Sequence, residues 1–299
     1  MEILSNEISN QGYVLLSGNE IDDYEVDLDN IIVNLEASHM KSKQERLSIT
    51  KDWLPRYTGM EIDEFGEYIL LTNFTDYVLR FAEMFDCDIK GERRPMQAAT
   101  NSAGLSIVNF GIGSPNAAII MDLLTARAPK GVLFLGKCGG LKASSDLGHL
   151  ILPIAAIRGE GTSDDYFSPE IPALPSFKLH KFVSEKVVEK NLEYRTGVIY
   201  TTNRRVWEHD EVFKAKLKET TAIAIDMETA TIFIVGHYNQ IARGALLLVS
   251  DVPVTPDGIK TEKSDRSVTE KWLQTHLDIG INAMTEIEKS GEETKHFRY

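Results

Sequence analysis

The chain has 299 residues, 42% of them apolar and 26% charged, which suits one large domain, or a domain with an extension, around a sizeable core. A net charge of −13 argues against nucleic acid or an anionic membrane as the main partner, yet leaves room for a small anionic substrate held by local cations. No apolar run approaches the ~20 residues that span a bilayer, the acidic start Met1–Glu7 lacks a signal-peptide pattern, and two cysteines cannot build a disulfide framework, so a cytoplasmic protein is expected.

Residues 1–65 are polar and acidic and form a first segment, expected to hold a weak strand or two and a short helix near Ser38–Ile49. From there strands and helices alternate. Tyr68–Leu71 is a short apolar strand, Tyr77–Phe85 has helical spacing, and Leu105–Phe110 is a second strand running into Gly111-Ile112-Gly113-Ser114-Pro115-Asn116. Ala117–Arg127 then reads as a helix, with Ser114 as N-cap and Pro115 at its first position. Gly131–Leu135 is a strand ending in Gly136-Lys137-Cys138-Gly139-Gly140, and Leu150–Ile154 is another. Lys178–Tyr194 (helix), Gly197–Thr202 (strand), Asp210–Lys218 (helix) and Ala222–Ile225 (strand) follow. A helix over Glu228–Ala242, a strand ending at Val249 and a helix over Ser267–Glu288 complete the chain. Apolar strands alternating with helices predict an α/β fold, with a mainly parallel central sheet covered on both faces.

Three glycine or basic segments fall at strand ends. The Gly111–Asn116 turn could offer a helix N-terminus to an anion or ribose, and suits a tight turn without ligand equally well. As a dinucleotide fingerprint it fails at Asn116, where a third glycine belongs. In Gly136–Gly140 three glycines in five residues imply a constrained or closely approached backbone. Lys137 there could reach a phosphate or point to solvent, and Cys138 reads as a small packed residue. Thr201-Thr202-Asn203-Arg204-Arg205-Val206-Trp207-Glu208 could grip a phosphate and stack a base, or form a solvated loop over a buried Trp.

The carboxylates Asp226, Glu228 and Asp251 are the strongest signal. Asp251 closes the apolar run Ala245–Val249 after Ser250, and Asp226-Met227-Glu228 opens a helix. A carboxylate at the end of a buried strand is costly unless paired or used, and burial moves its pKa upward into the general-acid range. Open α/β sheets bind ligands at that edge. The seven histidines show no metal-ligand spacing, so neither metal nor cofactor is expected.

Together these segments resemble the nucleoside phosphorylase/nucleosidase superfamily, through Gly111-Ile112-Gly113-x-Pro115, Asp226-Met227-Glu228-Thr229-Ala230 and Val249-Ser250-Asp251 in order. Within it the likeness is to the AMP nucleosidase family, through Asn109–Gly113, Gly136–Leu141, Tyr200–Glu208 and the run from Ser250 to Asp265. The resemblance covers about residues 54–286 and implies a nucleoside phosphorylase-like catalytic domain at 66–299. The first 65 residues are too short for the regulatory domain of long AMP nucleosidases. The implied reaction is hydrolysis of AMP to adenine and ribose 5-phosphate. Related phosphorylases bind their phosphate nucleophile through an arginine on the third strand; here that position holds Phe134, with Lys137 in place of a serine, which favours water.

The resemblance also implies roles. Asp251 acts as general acid on the base and Ser250 orients it, while Glu228 binds the ribose hydroxyls with Met227 packed beneath the sugar. Gly111, Gly113, Gly136, Thr202 and Trp207 complete the substrate site. Arg205 and Lys137 lead the candidates for the 5′-phosphate, followed by Arg204, Lys260 and Arg56. Related nucleosidases place a water-orienting glutamate near the first strand, where this chain reads Thr72-Asn73-Phe74-Thr75-Asp76. A homo-oligomer, a hexamer by resemblance, is expected. The alternatives are a purine nucleoside phosphorylase, a nucleosidase for unphosphorylated nucleosides, or a non-catalytic nucleotide-binding protein.

Overall fold

The computed structural model describes residues 28–255, 258–259 and 261–292, with the side chains of 28–41 and 264 left out. By internal contacts the chain forms two compact units, Met1–Glu45 and Arg46–Tyr299. In the first, the described residues 28–45 are helical. In chain order the elements are α1 (Leu28–Thr58), β1 (Tyr68–Thr72), α2 (Thr75–Phe85), β2 (Gln97–Thr100), β3 (Leu105–Asn109), α3 (Ser114–Leu123), β4 (Gly131–Gly140) and β5 (Leu150–Gly159). Then come α4 (Phe177–Glu189), β6 (Tyr194–Thr202), α5 (Glu211–Glu219), β7 (Ala224–Asp226), α6 (Thr229–Tyr238), β8 (Arg243–Asp251) and α7 (Glu262–Ser290).

The strands form one eight-stranded sheet in the order β2-β3-β1-β4-β7-β6-β5-β8, and β4 also pairs with β8. That last pairing closes β4, β7, β6, β5 and β8 into a ring. Five of the eight pairings are parallel and three antiparallel, the mainly parallel mixed sheet that the alternating pattern predicts. Each fully apolar strand splits its side chains between two cores, because successive residues face opposite sides of a sheet. Ile69, Val132, Phe134, Ala245 and Leu247 face α3 and α6 in one cluster. Leu70, Leu133, Leu135, Leu246 and Leu248 face α2, α4 and α7 in the other. Helices therefore cover both faces.

Several local expectations change. The helix expected near Ser38–Ile49 runs from Leu28 to Thr58. Its buried stripe is sparse (Thr50 and Leu54 are buried among exposed Lys51, Asp52 and Trp53), so its periodicity is weak. The strands expected before residue 28 lie outside the described residues. Leu54, Met60 and Phe65, all before residue 66, belong to the first core. The edge strand β2, with the sequence Gln-Ala-Ala-Thr, has little intrinsic strand signal and is formed by antiparallel pairing with β3. Helix α3 begins at Ser114 with Gly113 as its cap, and the Ser114 hydroxyl instead donates to the Met227 carbonyl at 2.6 Å.

The glycines of 136–140 lie within a strand rather than after it. A Cβ on Gly136 would stand 2.4 Å from the Phe134 ring, and one on Gly140 would stand 2.6 Å from Ser145 Cβ. The β4–β8 register shifts between Cys138 and Gly139, and Gly139 and Gly140 pair with Ile225 and Ala224 of β7. Beyond the β1 pairing, which ends at Phe134, these small residues let β4 take β7 as its neighbour while Gly139 still pairs with Asp251 of β8, closing the ring. Among the described residues no helix is long and apolar enough to cross a membrane.

Candidate active site

The carboxylates converge where β1, β4, β7 and β8 end. Asp226, the last residue of β7, accepts from the Thr201 hydroxyl (2.7 Å) and from the Thr229 amide (2.8 Å). Thr201 in turn accepts from the Ala230 amide at 3.0 Å, so Asp226 fastens β7, β6 and the start of α6 together. Burial pushes its pKa up, against the opposing hydrogen bonds from Thr229 and Thr201.

Glu228 caps α6 and is buried. Its Oε1 accepts from the Gly113 amide at 2.7 Å and its Oε2 from the Met227 amide at 3.2 Å. The Asn73 carboxamide donates to it as well. Burial first, and the charge of Asp226 second, push its carboxyl to about 8 against these donors. The Gly113 contact requires φ of +96° and ψ of 157° there, a conformation reserved for glycine.

Ser250 donates to Asp251 Oδ1 at 2.8 Å, which fixes the carboxyl at the end of β8. Gly139 makes room for it: a Cβ there would come within 3.3 Å of Asp251 Oδ2. Lys137 does not point to solvent. Its side chain is 3% exposed, and its amine reaches Asp265 Oδ1 (2.8 Å) and Thr269 (2.6 Å) on α7 and lies 4.3 Å from the Phe74 ring centroid.

The loop after β6 supplies the basic wall. Thr202 Oγ1 accepts from the Arg204 amide at 3.1 Å, which turns the chain toward the cavity. Arg204 pairs with Asp210 at 2.9 Å and lies over Phe213, Arg205 pairs with Glu208 at 3.2 Å, and buried Trp207 packs edge-on against Phe213.

A cavity of about 270 Å³ brings together Asp251, Glu228, Met227, Ser250, Lys137, Thr202, Arg205 and Trp207, all expected from sequence. Gly111, Gly113 and Gly136 do not line it; Gly113 acts through Glu228, and Gly136 accommodates Phe134. Arg204 lines it, Arg56 instead pairs with Asp52 on α1, and Lys260 lies outside the described residues. Sequence reasoning assigned no role to Asn73, Phe74 or Asp265, which also line the cavity. Asn73 carries one readable signal, its place directly after an apolar strand. Among the described residues no group of three His, Cys, Asp or Glu side chains could hold a metal ion.

A carboxylate-lined cleft at the strand ends of a mainly parallel sheet is the architecture of a small-molecule enzyme. The family model described as "Phosphorylase superfamily" matches residues 68–283, and the chain belongs to that superfamily, as its motifs imply. Among named relatives, the AMP nucleosidase of Escherichia coli K12 is 29% identical over 301 aligned residues, 85% of this chain. The chain spans 61% of that relative's length. A crystal structure of AMP nucleosidase from Bacteroides thetaiotaomicron VPI-5482 is 47% identical, covers 82% of this chain and 99% of its own, and superposes with a TM-score of 0.74. Uridine phosphorylase from Vibrio fischeri ES114 shares the fold at 21% identity, with a TM-score of 0.68 over 75% of this chain and 94% of its own.

Proposed function

We propose that this protein hydrolyses the N-glycosidic bond of AMP, giving adenine and ribose 5-phosphate. The observation that carries the reading is one cavity holding Asp251, fixed by Ser250, and Glu228, fixed by Gly113 and Met227. The 47% identity to an AMP nucleosidase supports it. Cleaving the bond develops positive charge on the ribose and negative charge on the departing base. Asp251 donates a proton to the base as general acid, and acid catalysis of this kind contributes roughly 10²–10⁴-fold. Glu228 accepts from the ribose hydroxyls, a contact that strengthens as the sugar becomes cationic, with Met227 beneath the ring.

Arg204 and Arg205 take the 5′-phosphate. Both arginines line the cavity and stay 43% and 58% exposed in their pairs with Asp210 and Glu208, which leaves them within reach of a phosphate. Lys137 has its amine taken by Asp265 and Thr269 and is not assigned to the phosphate. Phe134 is fully buried against Phe110, and this supports water as nucleophile, since no cation stands there for inorganic phosphate. The catalytic domain begins before residue 66, in the unit Arg46–Tyr299, because Leu54, Met60 and Phe65 pack in its first core. The protein works in the cytoplasm as a homo-oligomer, a hexamer by analogy.

Steady-state adenine release from AMP and from adenosine tests the substrate. A kcat/KM for AMP far above that for adenosine is expected; a preference for adenosine would favour a nucleosidase for unphosphorylated nucleosides.

A further inference from the structure

Among the described residues three cations line the active-site cavity, and they differ in what they hold. Arg204 and Arg205, on the loop after β6, stay exposed in their pairs. Lys137, on β4, does not. Its side chain is 3% exposed, and its amine is enclosed by Asp265 Oδ1 at 2.8 Å, Thr269 Oγ1 at 2.6 Å and the Phe74 ring. A cation at the wall of a cavity attracts anions from solution. Here a carboxylate of the chain itself already occupies that place.

Local structure holds Asp265 there. It stands in the first turn of α7, where the helix favours negative charge, and its amide donates to the Thr261 carbonyl at 3.0 Å. Thr269, one turn on, donates to the Asp265 carbonyl at 2.8 Å and accepts from the lysine. Asp265 is half-buried and lines the cavity, so its charge faces whatever enters. A second anion drawn to Lys137 would lie beside this carboxylate, and like charges so placed repel strongly where water is scarce. We propose that Asp265 is the built-in counter-ion of Lys137, that it keeps inorganic phosphate out of the cavity, and that this exclusion leaves water as the nucleophile. Asp265 is thus a specificity-determining residue, a role that rests on the AMP hydrolysis argued above.

The sheet order sets two anion positions apart. Strand β4 lies between β1 and β7, and β7 lies between β4 and β6. The arginines that take the 5′-phosphate therefore stand on the β6 side of β7, and Lys137 with Phe74 stands on the β1 side. In hydrolysis the water oxygen bonds to ribose C1′ as the C1′–N9 bond breaks, and the bonding pair leaves with adenine. Asp251 gives its proton to the base, and the proton lost by the water goes to solvent. With phosphate admitted at Lys137, a phosphate oxygen bonds to C1′ instead, the same pair leaves with adenine, Asp251 again protonates the base, and the sugar product is ribose 1,5-bisphosphate.

The test is adenine release from AMP by wild type and Asp265→Ala across a phosphate titration, with ribose 5-phosphate and ribose 1,5-bisphosphate quantified by mass. The variant should respond to phosphate at a concentration lower by about tenfold or more, as for a relieved like-charge contact, and should form bisphosphate where wild type forms none. The double variant Lys137→Met/Asp265→Ala should lose that response, because the cation is gone. Thermal melts need no turnover: phosphate should raise the Tm of Asp265→Ala more than that of wild type, since any binding at the arginines is common to both. Should Asp265→Ala melt early, Asp265→Ser removes the same charge and carries the same readouts. An equal response in wild type and variant, or a response that survives in the double variant, would overturn the role. Phosphate binding without bisphosphate would overturn its part in choosing the nucleophile. If wild type releases no adenine from AMP, the hydrolysis reading fails, while the melts still decide whether Asp265 excludes phosphate.

Discussion

The Gly113 amide donates to Glu228 Oε1 at 2.7 Å, joining the turn before α3 to the cap of α6 across 115 residues of sequence. Because Gly113 sits at φ +96°, any side chain there strains the turn that aims this amide. Gly113→Ala should destabilise the fold by about 1–3 kcal/mol, the cost of such a backbone conformation. It should also lower kcat for adenine release, as Glu228 loses its donor. Chemical unfolding and steady-state assays on the same variant check both effects; wild-type kcat would mean that Glu228 does not depend on this contact.

Replacing the general acid removes the proton delivered to the base. Asp251→Asn should reduce kcat by roughly 10²–10⁴-fold. Ser250→Ala should cost less, because it leaves the acid in place and removes the 2.8 Å hydrogen bond that orients it. Near-normal turnover by Asp251→Asn would show that the acid lies elsewhere.

The raised pKa of Glu228 gives stability a pH dependence. Burial and Asp226 move this carboxyl from 4.5 to about 8, so across that interval the folded protein keeps a proton that the unfolded chain has released. Its contribution to stability is fully present below about pH 4.5 and is lost as pH rises through about 8. The Tm of wild type relative to Glu228→Gln should therefore fall between about pH 5 and pH 8. A constant difference would mean that Glu228 titrates at its ordinary value.

Much of this site was legible because a few residues announce themselves locally. The apolar run of β8 ends in Ser250-Asp251, and Asp226 and Glu228 flank the start of α6, so both carboxyls could be placed at strand ends from sequence alone. The closed ring was not, because β4 reaches β7 only through Gly139–Ile225 and Gly140–Ala224, partners more than 80 residues apart. Lys137 reads as a phosphate ligand until α7 is folded against it and Asp265 takes its amine at 2.8 Å. Asn73 has no motif of its own; its place in the cavity beside Glu228 emerges only once β1 and the start of α6 are folded together.

The Lys137–Asp265 pair predicts a stability effect. With the lysine side chain 3% exposed and the aspartate 32%, Lys137→Met leaves a partly buried carboxylate without its cation. The loss should be about 3 kcal/mol, the low end for breaking a buried pair. A double-mutant cycle with Asp265→Asn measures the coupling; additive losses would show that the contact contributes nothing.

Loss of the exposed arginines should act on the phosphate alone. Arg204→Ala and Arg205→Ala should each raise KM for AMP by about tenfold or more, as for a lost charge-assisted contact, and leave adenosine cleavage unchanged. Parallel kinetics on the two substrates check this, and an unaltered preference for AMP would place the phosphate elsewhere.

Adenine release from AMP in phosphate-free buffer, with the sugar product identified by mass, tests the central claim most directly. The account predicts full turnover and ribose 5-phosphate as the product. Turnover that appears only when inorganic phosphate is added, with a second phosphate on the sugar, would make the enzyme a phosphorylase and contradict the account.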